Sequence, residues 1–192
     1  MATWNSRGLR GSSLEDIINF TIDKYEESGI ALIQKIPTPI KPININHETR
    51  QITLAYFDKK STVDYIGVVQ GIPVCFDAKE CTSSTFSMQN IHTHQIEFME
   101  KFEKQEGISF ILLYYTHLDE AYYLPYRDIK KFYDRSECGN RKSFRIEEID
   151  RSYKIRSYQG VPIHFLEMLN RDLEYREQEK TKIKNKLDNI IS

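Results

Sequence analysis

The stretch that decides the fold is residues 61–80, Ser61-Thr62-Val63-Asp64-Tyr65-Ile66-Gly67-Val68-Val69-Gln70-Gly71-Ile72-Pro73-Val74-Cys75-Phe76-Asp77-Ala78-Lys79-Glu80. Two apolar runs, Val63 to Gln70 and Ile72 to Ala78, flank a turn at Gly71, and this pattern predicts a β-hairpin. Asp64 starts the first strand and Asp77 ends the second. Side chains alternate along a strand, so Asp77 and Lys79 point to one face, and the turn brings Asp64 opposite them. Two carboxylates and an ammonium then gather at one edge of a small sheet. Carboxylate pairs in oxygen-rich surroundings suit Mg²⁺, which binds through few protein ligands plus waters. A metal so held can activate water and stabilise charge on a phosphate, with the lysine assisting. The plainer reading of Asp-x-Lys is an ion pair along the strand.

Outward from this hairpin, the predicted elements alternate. Leu14, Ile17, Ile18, Ile22 and Tyr25 recur at helical spacing, so residues 13–28 read as a helix, with Ser12 and Glu15 as its capping box and Gly29 as its stop. Residues 30–36 have strand character. Pro37, Pro39 and Pro42 then forbid a helix and demote any strand to an edge, so 37–50 reads as an extended arm leaving the domain. Residues 51–57 read as a strand, 87–104 as a helix, 108–115 as a central buried strand and 121–124 as a short strand. Residues 126–134 read as a short helix, 139–144 as a basic loop, and 163 onward as a helix ending in a charged tail at 174–192. The order implies α/β layers around a mixed sheet, in one domain of 192 residues.

Composition excludes several classes. No apolar run approaches the roughly 18–20 residues needed to span a bilayer, and the N-terminus lacks the apolar core of a secretory signal. Three cysteines without a C-x-x-C point to a reducing compartment, the cytoplasm, and away from a zinc ribbon. The net charge of -1 hides two basic segments, +4 over 127–156 and +3 over 35–60, with acidic charge collected at 16–27 and 97–120. Opposed patches suit a polyanion-binding face on a soluble chain; ordinary solvated surface is the alternative.

Seven blocks, in order, carry a resemblance: Arg10-Gly11-Ser12-Ser13-Leu14-Glu15, Lys35-Ile36-Pro37-Thr38-Pro39, Ala55-Tyr56-Phe57, Ser61-Thr62-Val63-Asp64-Tyr65-x-Gly67, Phe76-Asp77-Ala78-Lys79-Glu80, residues 89–97 (Gln89 to Glu97, with His92-Thr93-His94-Gln95), and Arg141-Lys142-Ser143. Over about residues 10–163 the sequence resembles the RecU-type Holliday-junction resolvases of Gram-positive bacteria. The resemblance implies a restriction-endonuclease-like fold, a mixed central sheet flanked by helices with a protruding stalk where the Pro-rich arm falls. It implies a homodimeric, Mg²⁺-dependent endonuclease, with Mn²⁺ as substitute, that nicks four-way DNA junctions in recombination and repair, with recombination proteins as further partners and no membrane association.

Carried over by residue, the resemblance implies metal ligation by Thr62, Asp64, Asp77 and Gln95, with Lys79 stabilising the transition state. The sequence departs from the family in having Asp77 where Glu is usual, and in a 77–95 interval about one residue short. Arg10, Lys41, Arg50, Arg141, Lys142 and Arg145 are the candidate DNA contacts. Glu15 is read as a helix cap, with metal approach as its alternative. His92 and His94 sit two apart, so they point in different directions on a helix and read as polar surface or DNA-proximal residues, not metal ligands. Two rival functions remain: a junction-binding architectural protein without catalysis, and a restriction or repair endonuclease acting on linear duplex.

Overall fold

The computed structural model describes residues 13–58 and 62–191, with side chains through 185. Its elements in chain order are α1 (Leu14–Glu27), β1 (Ala31–Lys35), β2 (Ile40–Asn46), β3 (Gln51–Phe57), β4 (Tyr65–Val69), β5 (Ile72–Cys81), β6 (Thr85–Ser87), α2 (Thr93–Glu103), β7 (Ile108–Tyr115), β8 (Glu120–Pro125), α3 (Tyr126–Glu137), β9 (Ser143–Arg145), β10 (Arg156–Tyr158), β11 (Val161–His164) and α4 (Leu166–Ile191).

Five strands form the central sheet in the order β1-β4-β5-β7-β8. The β5/β7 pair is parallel and the other neighbours are antiparallel. The apolar run Ile108 to Tyr115 becomes an inner strand because both its faces are covered. One face, with Phe76, Phe110 and Leu112, packs on α1 through Ile18 and Tyr25 and on Phe165 and Leu169 beside and within α4. The other, with Cys75, Ile111 and Leu113, packs on Ile96 and Met99 of α2 and Ile129 and Phe132 of α3. The fold class is therefore the mixed sheet flanked by helices that the resemblance implies.

Aromatic side chains lock the strand register. Tyr65, Phe76, Phe110 and Tyr123 stack in sequence across four strands, with centroid spacings of 4.7, 4.8 and 4.3 Å. Each such contact contributes about 0.5–1.5 kcal/mol beyond its buried area. A one-residue slip would turn every side chain to the other face, so this stack also fixes where Asp64 meets Asp77. Gln70 and Gly71 both adopt positive φ, 46° and 88°, between the paired residues Val69 and Ile72, giving the two-residue turn that a tight hairpin favours. At Gly67 a Cβ would lie 2.2 Å from the Leu32 carbonyl oxygen, so β1 approaches β4 too closely there for any other residue.

The structure corrects several sequence expectations. Helix α1 is capped by Ser13 with Asp16, one residue later than expected, because the Ser13 hydroxyl and the Asp16 carboxylate satisfy each other's backbone N–H. The arm is longer and more regular than 37–50: β2 and β3 pair only with each other, so β3 belongs to a projecting hairpin and not to the central sheet. Pro42 is tolerated there because the ladder has only two strands and its register shifts between Pro42 and Asn44. The helix expected from 87 begins at Thr93. Before it, β6 pairs with β9 and Ser87 caps a 3₁₀ turn at Met88–Asn90, since short polar side chains compete with the helix for backbone groups. Residues 161–164 form β11 against β10, and α4 starts at Leu166.

The hairpin arm is rooted beside the strand ends. β1 and β4 are adjacent, and Lys35↔Tyr65 is their last pair. The backbone N–H of Ile36 donates to the Asp64 carbonyl at 2.7 Å. The arm is thus an insertion between neighbouring strands, leaving the sheet at the end that carries Asp64.

Candidate active site

Asp64 and Asp77 lie one step beyond the Tyr65↔Phe76 pair, so the register places them face to face. The Asp64 backbone N–H donates to Oδ1 of Asp77 at 2.9 Å. The Ala78 N–H donates to Oδ2 of Asp64 at 2.9 Å. Oδ2 of Asp77 takes two further partners: Lys79 Nζ at 2.6 Å and Gln95 Nε2 at 2.6 Å. Asp77 is fully buried, Gln95 is buried, and Asp64 is half-buried. The ion pair of the plainer sequence reading is present, as one part of a four-residue cluster.

Burial pushes the Asp77 carboxyl up to about 6; the Lys79 ammonium opposes this and the neighbouring Asp64 adds to it. Desolvation of the buried carboxylate outweighs the attached cation. Gln95 is held by its other end too: its Oε1 accepts the His92 backbone N–H at 2.9 Å, the capping-box position at the start of α2. One carboxamide therefore ties α2 to the strand-end carboxylate.

The remaining candidates are spread out. Thr62 is half-buried two residues before Asp64. Lys41 and Arg50 are exposed on the arm, Lys41 opposite Tyr56 and Arg50 at the hairpin tip with φ 55°. Arg141, Lys142 and Arg145 lie around β9, with Arg141 Nη1 3.2 Å from Glu148 Oε2. Arg10 lies outside the described residues. Glu15 is paired with Lys35 and does not cap α1. His92 and His94 stack on one another with centroids 5.3 Å apart, although two-residue spacing suggested divergence; His92 is the extended residue before the helix, outside its regular geometry.

Two further acids, outside the candidate set, serve the site's surroundings. Glu80, on the strand face opposite Lys79, accepts the Leu14 N–H at 2.9 Å and so ties α1 to the strand of Asp77. Glu148 binds Arg135 at 2.6 Å, Arg141, and the Arg145 backbone N–H at 2.7 Å. Its signal in the sequence was an acid embedded in the basic 127–156 segment.

The donor set bears on the metal. Among the described residues no group of three or more His, Cys, Asp or Glu side chains could hold an ion. Two carboxylates form a hard-oxygen pair, which suits a cation that keeps several of its waters and not one that needs thiolate or imidazole, while Gln95 turns its amide nitrogen to Asp77 and its oxygen to the His92 N–H. A hollow of about 590 Å³ is lined by Arg127, Asp128 and Arg171, and by neither Asp64 nor Asp77.

Sheet, helices and strand-end acids together define an α/β protein with a mixed central sheet flanked by helices and an acid pair at the strand ends. The chain belongs to the RecU family, described as recombination protein U, whose model matches residues 9–171. It is 41% identical over 159 residues to the Holliday junction resolvase RecU of Staphylococcus saprophyticus, covering 81% of this chain and 76% of that protein. It is 40% identical to the Holliday junction resolvase RecU of Staphylococcus aureus over the same shares. Among solved structures, the Holliday junction resolvase Hjc of the archaeon Archaeoglobus fulgidus overlaps 59% of this chain and 77% of its own, at TM-score 0.36 and 6% identity.

Proposed function

We propose that this protein resolves four-way DNA junctions as a homodimeric endonuclease, hydrolysing one phosphodiester on each of two opposed strands. The observation that carries the reading is the Asp64/Asp77 brace with Lys79 against it, in a chain of the RecU family. Asp64 and Asp77 would hold a divalent cation, Mg²⁺ or in its place Mn²⁺, with Thr62 as a further ligand and Gln95 joining only if its carboxamide turns its oxygen from the His92 N–H to the ion. Such a cation supplies a water of lowered pKa and a positive charge for the phosphate. Asp64 is the more accessible carboxylate; one of its oxygens is held by the Ala78 N–H, and its backbone N–H is held by Asp77. Lys79 holds a positive charge at the same edge, where it offsets the negative charge that develops on the phosphate during attack.

One feature supports a junction-selective enzyme, and a two-fold dimer would present two equivalent sites, matching the symmetry of a junction that needs two nicks. The arm exposes Ile40, Ile43, Ile45, Ile52, Leu54, Tyr56 and Phe57, seven large apolar side chains on a two-stranded sheet. Exposed large apolar side chains gathered on one projecting element mark an interaction site. Rooted beside Asp64, the arm is the element that reads the junction and contacts the second subunit. Among the described residues no helix is long and apolar enough to cross a membrane. Cys75, Cys81 and Cys138 are free thiols, which supports action in the reducing cytoplasm.

The test is cleavage of a labelled four-way junction and of linear duplex of the same sequence, with Mg²⁺ or with EDTA. Symmetric nicks in the junction alone, abolished by EDTA, are expected. Binding without cutting would leave an architectural protein, and equal cutting of duplex would leave a general endonuclease.

A further inference from the structure

We propose that a hollow at the start of α2 seats a backbone phosphate of the DNA strand, close to the one that is cut. The inference rests on the junction-cutting reading and extends it to a subsite. The hollow has a volume of about 280 Å³ and its walls include Gln89, His92, Thr93, Tyr133, Lys142 and, at the rim, Glu137. Its floor is the buried pair Met88 and Ile91.

Lys142 is what distinguishes this hollow from ordinary basic surface. Its neighbour Arg141 is engaged by Glu148 and by the Ser143 hydroxyl, at 3.2 and 3.1 Å. Arg135 is engaged by Glu148 and by the Ser143 carbonyl oxygen. Lys142 makes no ion pair among the described residues, yet its backbone is fixed, since its carbonyl accepts the Met88 N–H at 3.0 Å. An unspent cation on an anchored backbone is therefore presented to the hollow. Beside it, Thr93 Oγ1 accepts the Tyr133 hydroxyl at 3.1 Å, which leaves the Thr93 hydroxyl proton to donate elsewhere. The exposed His92 imidazole completes the wall. One ammonium, a free hydroxyl proton and an imidazole suit a singly charged phosphodiester.

The hollow is also wired to the chemistry. The His92 N–H donates to Gln95, and Gln95 donates to Asp77, so two hydrogen bonds separate its wall from the strand-end carboxylate. A strand seated there is held by the same helix end that holds Asp77. Glu137 is exposed at the rim and works against an anion, which gives the proposal a signed control.

The experiment measures junction affinity by fluorescence anisotropy in EDTA, with a single uncharged methylphosphonate scanned along one strand. For the wild-type protein, one linkage close to the cut position should weaken binding about tenfold. Lys142→Ala should weaken binding to the unmodified junction by a similar factor, show no further loss at that linkage, and lower the slope of log K against log salt by about one. Lys142→Arg should restore the coupling, and Glu137→Gln should tighten binding. Equal methylphosphonate penalties in wild type and Lys142→Ala, or an unchanged salt slope, would overturn the subsite. Cutting of the unmodified junction by wild-type protein in Mg²⁺ is read in parallel, so that loss of the junction-cutting reading is distinguishable from loss of the subsite.

Discussion

Asp64 and Asp77 brace one another across the β4–β5 hairpin: the Asp64 N–H is bound to the Asp77 carboxylate, and the Asp64 carboxylate is bound by the N–H that follows Asp77. Each acid is aimed by the other's strand, so the geometry is set by backbone register and not by flexible side chains. Asp64→Asn keeps an oxygen for the Ala78 N–H and removes only the charge. We expect junction binding to persist in Asp64→Asn and in Lys79→Ala, while cutting falls about 10²–10³-fold or more. Gel-shift and single-turnover cleavage on the same preparations check this, and wild-type cutting in either variant would remove the site assignment.

Asp77 should cost stability where it is ionised. Its carboxyl is raised from 3.8 to about 6, so the folded state binds the proton more tightly than the unfolded state. The stability contributed by the proton is then complete below about pH 4 and is lost as pH rises through about 6. Asp77→Asn should therefore be more stable than wild type at pH 8, by about 1–3 kcal/mol, with the gain vanishing near pH 4. Denaturant melts across that range measure it; a gain independent of pH would place its origin elsewhere.

The shorter acid at position 77 bears on metal preference. Mg²⁺ demands near-ideal octahedral geometry at about 2.0–2.1 Å and releases water reluctantly. Mn²⁺ generally binds the same oxygen sites more tightly. Cutting should be modest in Mg²⁺ and clearly faster in Mn²⁺, Asp77→Glu should remain active, and Asp77→Ala should be inactive with both. An active Asp77→Ala protein would reduce Asp77 to the ion-pair partner of Lys79.

The arm should be dispensable for the core. Its strands pair only with each other, and Asp58 N–H closes it onto the Pro39 carbonyl at 3.0 Å. Replacing residues 40–57 by a short Gly/Ser linker should leave the melting transition of the body near that of wild type. It should abolish the preference for junction over duplex and weaken dimerisation, read by competition binding and light scattering. Retained selectivity would move junction recognition elsewhere.

α4 depends on one buried acid. Asp172 is fully buried; it accepts the Tyr123 hydroxyl at 3.0 Å, pairs with Arg127, and lies 3.3 Å from Arg176. Asp172→Ala leaves two largely covered guanidinium groups without their shared partner, and should cost about 3–5 kcal/mol. Asp172→Asn should cost less, because it keeps an acceptor. Chemical denaturation checks both, and a loss below about 1 kcal/mol would show that the network is not needed to hold α4.

The sequence by itself determined the hairpin at Gly71, the inner strand 108–115, the first helix and the Asp64/Asp77/Lys79 cluster. These rest on local periodicity, turn chemistry and strand alternation, which act over a few residues and are written directly in residue order. Only the tertiary structure decided the partner of residues 51–57. Their strand propensity was plain, but pairing with β2 and not with the central sheet is a matter of which edge lies within reach. It likewise decided that residues 87–92 stay out of α2, because β9, more than fifty residues later, draws β6 into a ladder. The hydrogen bonds by which Gln95 and Glu80 tie helices to the strand of Asp77 were invisible for the same reason. Each joins partners from different elements, and a carboxylate or carboxamide acquires its meaning from the donor the fold places against it.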